Sequence, residues 1–81
     1  MKIDEVITEL KRADGAMKFN RLKAICDHFF GAPRIRGSHH IYRTGTAHLV
    51  NIQNNKGQAK SYQVRQVRLA LEARRQAEEK K

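Results

Sequence analysis

The sequence predicts an α+β fold in which a three-stranded antiparallel sheet carries two main helices on one face, with a further short helix at the N-terminus. Two observations lead to this prediction. Apolar residues recur at helical spacing near both ends of the chain, whereas residues 34–53 form short runs that alternate between apolar and polar side chains. With 81 residues, the chain has room for one domain and a modest core.

The first element is a short helix that Asp4 is placed to cap. Its apolar residues, at helical spacing, are Val6, Ile7 and Leu10. The turn-forming sequence Ala13-Asp14-Gly15 ends it. We expect residues 1–18 to form a helical extension to a main domain at residues 19–77.

The second helix is predicted with an N-cap at Asn20 and an end at Gly31, with Pro33 just beyond. Its apolar stripe consists of Leu22, Ile25, Cys26 and Phe29. Cap, stripe and stop signal all agree here. Because Cys26 is the only cysteine, the chain has no internal disulfide and no cysteine-based metal cluster, which is typical of a reducing compartment.

Three strands are predicted at residues 34–36, 40–44 and 48–53, with Gly37-Ser38 and Gly45 in the tight connections between them. Successive side chains of a strand point to opposite faces of a sheet. If Ile41 faces the helices, His40 and Tyr42 lie on the open face and His39 lies on the core side. The two adjacent histidines should therefore have different roles.

A polar loop at residues 54–58 leads into the last helix, for which Ser61 is the expected cap. The residues expected to face the core are Val64, Val67, Ala70 and Leu71. The outer side carries Arg65, Arg68 and Arg75. Residues 78–81 are expected to form a frayed basic tail, because no apolar residue anchors the chain after Ala77.

The net charge of the chain is strongly positive. Seventeen Lys and Arg against eight Asp and Glu give a formal charge of +9, which attracts polyanions such as nucleic acid, an anionic membrane surface or an acidic protein. No apolar run is long enough to span a bilayer, and no signal-peptide core follows the charged start. We expect a cytoplasmic protein that has RNA as its partner and no membrane association.

Three of the four histidines, His39, His40 and His48, fall in the strand region. An imidazole can accept the proton of an RNA 2′-hydroxyl and later return it as an acid. Zinc binding is not favoured, because adjacent strand residues diverge and no carboxylate lies nearby in the sequence. We expect no metal and no cofactor. The cations suited to phosphate are Arg36, Arg43, Lys56, Lys60, Arg65 and Arg68.

The order of elements, together with Arg36-Gly37-Ser38-His39-His40-Ile41-Tyr42-Arg43, resembles the HicA family of toxin-antitoxin mRNA interferases over residues 19–73. This resemblance implies a fold like that of a double-stranded-RNA-binding domain. It also implies metal-independent cleavage of mRNA and inhibition by a cognate HicB-like antitoxin. The residue that matches the catalytic histidine of the family is His40, and Gly37 and Ser38 shape the turn before it.

Two segments depart from the family pattern. Residues 1–18 are additional, and residues 51–60 lack the proline-containing loop of many members. Within this loop, Lys56-Gly57-Gln58-Ala59-Lys60 is similar to the phosphate-binding pattern of double-stranded-RNA-binding domains, with Gly57 in place of one lysine.

The leading hypothesis is a toxin-type endoribonuclease that uses His40 as general acid or base, with support from Tyr42, Ser38 or His48. The alternative is a non-catalytic RNA-binding module of the same fold. A third hypothesis, a membrane binder, requires the last helix to associate with anionic vesicles.

Overall fold

The computed structural model describes residues 1–46 and 48–79. Its elements, in chain order, are α1 (Ile3–Ala13), α2 (Phe19–Phe30), β1 (Arg34–Arg36), β2 (His39–Arg43), β3 (Leu49–Gln53) and α3 (Ser61–Glu79). The three strands form one open antiparallel sheet in the order β1-β2-β3. The predicted α+β architecture with an N-terminal helix is thus confirmed.

The start of α1 differs from the prediction, because the N-cap position is occupied by Lys2 and not by Asp4. Asp4 lies in the first turn of the helix, where a carboxylate interacts favourably with the helix dipole. Its Oδ1 accepts a hydrogen bond from Arg75 of α3 at 3.0 Å. Asp4 therefore joins α1 to α3 and does not cap its own helix.

The start of α2 also lies two residues earlier than predicted, with Lys18 at the N-cap and Asn20 inside the helix. No side chain caps it. Backbone hydrogen bonds to the loop before α3 hold this segment: the N–H of Phe19 donates to the carbonyl of Gly57 at 3.0 Å, and that of Ala59 to Met17 at 2.9 Å. Contacts between residues distant in sequence thus determine where α2 begins.

The start of α3 lies at the residue that we expected to cap it, Ser61, which is the first residue of the helix. The carbonyl of Lys60 accepts the N–H groups of Gln63 and Val64. At its other end α3 continues through Glu79, where Arg74 and Glu78 form an ion pair at 3.3 Å. Lys80 and Lys81 of the predicted tail lie outside the described residues.

The two faces of β2 are reversed relative to the prediction. Tyr42 is completely buried against the helices, and His40, two residues away, lies on the same side. The register explains this, since Tyr42 pairs with Val50 and His40 with Ile52, whereas Ile41 pairs with Asn51. Burial of Val50 and Ile52 on β3 turns Ile41 and His39 to the open face.

One core joins all three helices to the sheet. The buried residues of α1, which are Val6, Ile7 and Leu10, belong to the same apolar cluster as those of α2, the sheet and α3. Ion pairs between Arg21 and Glu9 at 2.7 Å, and between Arg75 and Asp4, tie α1 to both other helices. The N-terminal helix is thus packed as an integral part of the structure.

Candidate functional site

The sequence motif with the histidine pair lies at one end of the molecule, which we call the turn end. It consists of the β1–β2 turn at residues 37–38, the first residues of α2 and α3, and the loop at residues 54–60. The register brings these together, because His39, the first residue of β2, pairs with Gln53, the last residue of β3. The hydrogen bond from Phe19 to Gly57 then joins the loop to α2.

His40 lies at the turn end on the helix-facing side of the sheet. Its imidazole meets the ring of Phe19 edge-on, with the ring centroids 5.1 Å apart. The side chain is partly buried, and its Nδ1 atom is fully buried without a hydrogen-bond partner among the described residues. Since a buried polar atom without a partner is rare in proteins, the position of this nitrogen requires an explanation beyond packing.

A hydrogen-bonded cluster lies next to His40. The hydroxyl of Tyr42 donates to Asp27 Oδ1 at 2.6 Å, and Lys23 Nζ donates to Asp27 Oδ2 at 2.7 Å. Burial acts to raise the pKa of Asp27, but the hydrogen bonds from Lys23 and Tyr42, together with the charges of Lys23 and His40, lower it overall.

The same cluster defines the role of Tyr42. Burial, and then the hydrogen bond to Asp27, raise the pKa of the Tyr42 phenol well above its usual range. The phenol therefore stays neutral, and since the ring is buried it offers no surface for a base. Its contact with Asp27 supports β2, which carries His40.

Positive charge accumulates at the turn end. Lys18 and Lys56 are exposed and Lys60 is half-buried, and none of them forms an ion pair with another described residue. The N-termini of α2 and α3 lie here as well, and each adds a partial positive charge. Lys18 could not be predicted from its sequence position, because only the bridge that pairs it with Gln58 places it beside the loop.

The β1–β2 turn is joined to the end of β3. Gly37 has a φ of 58° in this turn. Ser38 Oγ accepts a hydrogen bond from Gln53 Nε2 at 3.1 Å, and the backbone N–H of Gln53 donates to the buried side chain of Gln63 at 2.9 Å. Ser38 thus positions the turn, as the motif implies. Arg36 borders the same turn but lies on the opposite face of the sheet from His40.

The structure does not bring His48 to His40. His48 is exposed and precedes Leu49, which pairs with Arg43 at the far end of the sheet. Along β3 it lies four residues from Ile52, the partner of His40, or roughly 13 Å at the rise of a strand. In this arrangement His48 is not a second catalytic group beside His40.

Two arginines of α3 lie in a groove that begins at Ser61, the first residue of this helix. Arg65 and Arg68 line this groove between α1 and α3, together with Lys11 and Asp14. Arg68 is partly neutralised by an ion pair with Glu72 at 2.8 Å. Arg65 and Arg68 thus line the groove toward α1, whereas His40 packs against Phe19 of α2.

Cys26 takes no part in this chemistry. It is completely buried on α2, and burial, followed by the charge of Asp27, raises the pKa of its thiol to about 12. A thiol in this state is a poor nucleophile.

The distribution of charge along the chain sets the sheet and the turn end apart from the helical side. Between residues 28 and 71 the sequence contains seven Lys or Arg and no Asp or Glu. All eight carboxylate side chains belong to α1, α2, the turn after α1, and the C-terminal half of α3. The segment that forms the sheet, its turns and the start of α3 therefore carries only positive charge along the sequence.

No helix in the described part of the chain has the length and apolar character of a membrane span. No protein-family model, curated protein or solved structure matches the chain, so the resemblance to HicA depends on the residues and the order of elements given above.

Proposed function

We propose that the protein binds RNA and cleaves mRNA as a metal-independent endoribonuclease, with His40 as general acid or base. The observation that carries this proposal is the placement of a partly exposed histidine at the basic turn end, against Phe19. Through Phe19, this histidine adjoins the loop that carries Lys56 and Lys60. A cellular polyanion with a reactive hydroxyl group beside each phosphate is the substrate class that suits such a site.

Affinity for RNA comes from the cations and helix N-termini of the turn end. Lysines without carboxylate partners neutralise phosphates and release condensed counterions. The backbone N–H groups at the start of α3 can donate hydrogen bonds to an anion without help from a side chain. The phosphates that flank the cleaved one would be held by three lysines, Lys18, Lys56 and Lys60.

Cleavage requires two proton transfers, one from the attacking 2′-hydroxyl and one to the departing 5′-oxygen. With Nδ1 buried, Nε2 is the ring nitrogen of His40 left to face RNA. It takes the proton from a 2′-hydroxyl, the 2′-oxygen forms a bond to the adjacent phosphorus, and the bond from phosphorus to the 5′-oxygen breaks. The departing 5′-oxygen takes up a proton from water, while the lysines stabilise the additional negative charge on the phosphate.

The partner of such an enzyme is an inhibitor that covers the turn end. The resemblance to HicA indicates a cognate HicB-like antitoxin in the cytoplasm. If this is right, the gene should lie beside a second small reading frame, and the product of that frame should bind this chain and stop cleavage.

The experiment is a cleavage assay with a labelled single-stranded mRNA in the presence of EDTA. We expect His40→Gln to lower the rate by about 100-fold or more, the usual range for loss of an acid–base group, while RNA binding persists. His28→Gln is the matched control, since His28 is an exposed histidine in the last turn of α2, outside the turn end.

Unchanged cleavage by His40→Gln contradicts the proposed mechanism. Wild-type protein that binds RNA but never cleaves it identifies the alternative, a non-catalytic RNA-binding module. One observation favours that alternative. Asp27, the carboxylate next to His40, already accepts hydrogen bonds from Tyr42 and Lys23, so it is not free to act as a second acid–base group.

A further inference from the structure

The second basic surface is the open face of the sheet, which no helix covers. The strand register determines which side chains lie on this face, and these side chains form three rows across the strands. The first row contains Arg36, His39 and Gln53, the second Arg34, Ile41 and Asn51, and the third Arg43 and Leu49. Each row thus contains one arginine.

These three arginines carry uncompensated charge. All are exposed, and none forms an ion pair with any residue that the structure describes. No strand contains an Asp or Glu. Ion pairing within the fold therefore does not explain why arginine occupies every row.

The arginines form a ladder along the strand direction. Arg36 and Arg34 lie two residues apart on β1, and Arg43 lies two residues beyond Ile41, the partner of Arg34. Neighbouring rows are separated by about 6.6 Å, since a strand rises roughly 3.3 Å per residue. The phosphates of an extended single strand follow one another at a comparable spacing, so one strand can meet the three guanidinium groups in turn.

The remaining side chains of this face suit unpaired bases. Ile41 and the 57 % exposed Leu49 provide apolar contact, and the amide of Asn51 can bond to a base edge. Within the described residues, the one aromatic ring on this face is the imidazole of His39, on which a base can stack. Arginine guanidinium planes provide such a surface in RNA recognition.

We propose that the open face of the sheet binds single-stranded RNA through the ladder Arg36, Arg34 and Arg43. This inference rests on the proposed function, because the strand held here is the continuation of the RNA at the turn end. Arg36 begins the ladder beside Ser38, so the two surfaces meet at the β1–β2 turn. A paired duplex is excluded from the ladder, because its bases are not free to lie on Ile41 and Leu49.

The test measures binding of a fluorescent oligouridine by anisotropy, with His40→Gln in every protein so that the RNA stays intact. The ladder variant is Arg34→Gln/Arg43→Gln, which leaves the turn end untouched. The control is Lys11→Gln/Arg12→Gln, which removes the same charge from exposed positions of α1. Circular dichroism checks that both variants remain folded.

We expect the ladder variant to bind oligouridine about tenfold more weakly than the control variant. Its plot of log affinity against log salt should also be shallower by about 1.4, since each phosphate contact on a single strand contributes about 0.7. Binding of a blunt RNA duplex should fall no further in the ladder variant than in the control.

Two outcomes would overturn the ladder. If the ladder variant binds oligouridine as the control does while Lys56→Gln/Lys60→Gln binds weakly, the ladder is wrong and the proposed function stands. If the ladder variant loses affinity for polyglutamate but keeps it for RNA, the face serves an acidic protein. Absence of RNA binding in all proteins, including the one with His40→Gln alone, contradicts the proposed function itself.

Discussion

The hydroxyl group of Tyr42 shows how a single side chain positions the candidate catalyst. A buried phenol requires a hydrogen-bond partner, and Asp27 provides one at 2.6 Å from the adjacent helix. This bond fixes β2 against α2 at the level of Tyr42. Because His40 lies two residues away on the same side of the strand, it is held against Phe19 near the start of α2.

We predict that Asp27 makes the free energy of unfolding depend on pH. Its pKa is lower in the folded protein than in the unfolded chain, so its contribution to stability is present above the unfolded pKa of about 3.9 and is lost as the pH falls through the lower folded value. Asp27→Asn should lower the free energy of unfolding at pH 7 by about 1 kcal/mol or less, because its ion pair is partly exposed. The deficit should shrink as the pH falls below 4.

Urea unfolding of the wild type and Asp27→Asn between pH 7 and pH 3 measures this deficit. Glu5→Gln, at an exposed carboxylate without an ion pair among the described residues, controls for removing one negative charge. A deficit that grows on acidification would contradict the assignment.

How far the sequence predicted these residues depends on the range of the interactions involved. Alternation along β2 correctly separates His39 from His40, because that separation is a property of one strand. The side to which each points was predicted wrongly, since Val50 and Ile52 of a different strand determine it. Lys18 and Asp27 were missed because their neighbours at the site are distant in sequence.

Among the elements, the connection between α1 and α3 depends on a close approach at Gly15. The backbone there has a φ of 84°, and a Cβ atom would lie 2.8 Å from Cβ of Ser61, the first residue of α3. Gly37 also has a positive φ, of 58°, but open space surrounds its missing side chain. Substitutions at these two glycines therefore distinguish the cost of a steric clash from the cost of a strained backbone.

We predict that Gly15→Ala is more destabilising than Gly37→Ala. Gly37→Ala should cost about 1–2 kcal/mol, the penalty of a left-handed conformation for an L-residue. Gly15→Ala adds a steric clash with Ser61 that costs about a further 1–3 kcal/mol for overpacking. The total should therefore be about 2–5 kcal/mol. Urea midpoints at constant m-value provide the measurement, and equal losses for the two variants would show that α1 and α3 are not closely packed at Gly15.

The helices also show which element boundaries the sequence can predict. Apolar periodicity correctly identified most core residues of the helices, because burial follows the helical repeat. Phe29 and Ala70, however, are only partly buried, and the buried Phe19 was not predicted. The caps predicted at Asp4 and Asn20 were wrong, since an ion pair to α3 and backbone bonds to residues 57–59 hold these helix starts. Such interactions leave no local pattern in the sequence.

For the whole molecule, the segregation of charge predicts how stability depends on salt. Seven cationic side chains without a carboxylate between residues 28 and 71 repel one another across the sheet and the turn end. The ion pairs of the described residues lie on helices and are largely exposed, so each contributes only about 0–1 kcal/mol. Screening weakens both effects, but the net charge of +9 makes repulsion the larger one.

We therefore expect the melting temperature to rise with sodium chloride. Between about 0.01 M and 0.15 M salt the screening length falls from about 30 Å to about 8 Å, and relief of about 1 kcal/mol would raise the melting temperature by about 4–8 °C. Arg34→Gln/Arg43→Gln, which removes two of the repelling charges, should respond less. Thermal unfolding followed by circular dichroism measures both proteins, and a melting temperature that falls with salt would show that the ion pairs outweigh the repulsion.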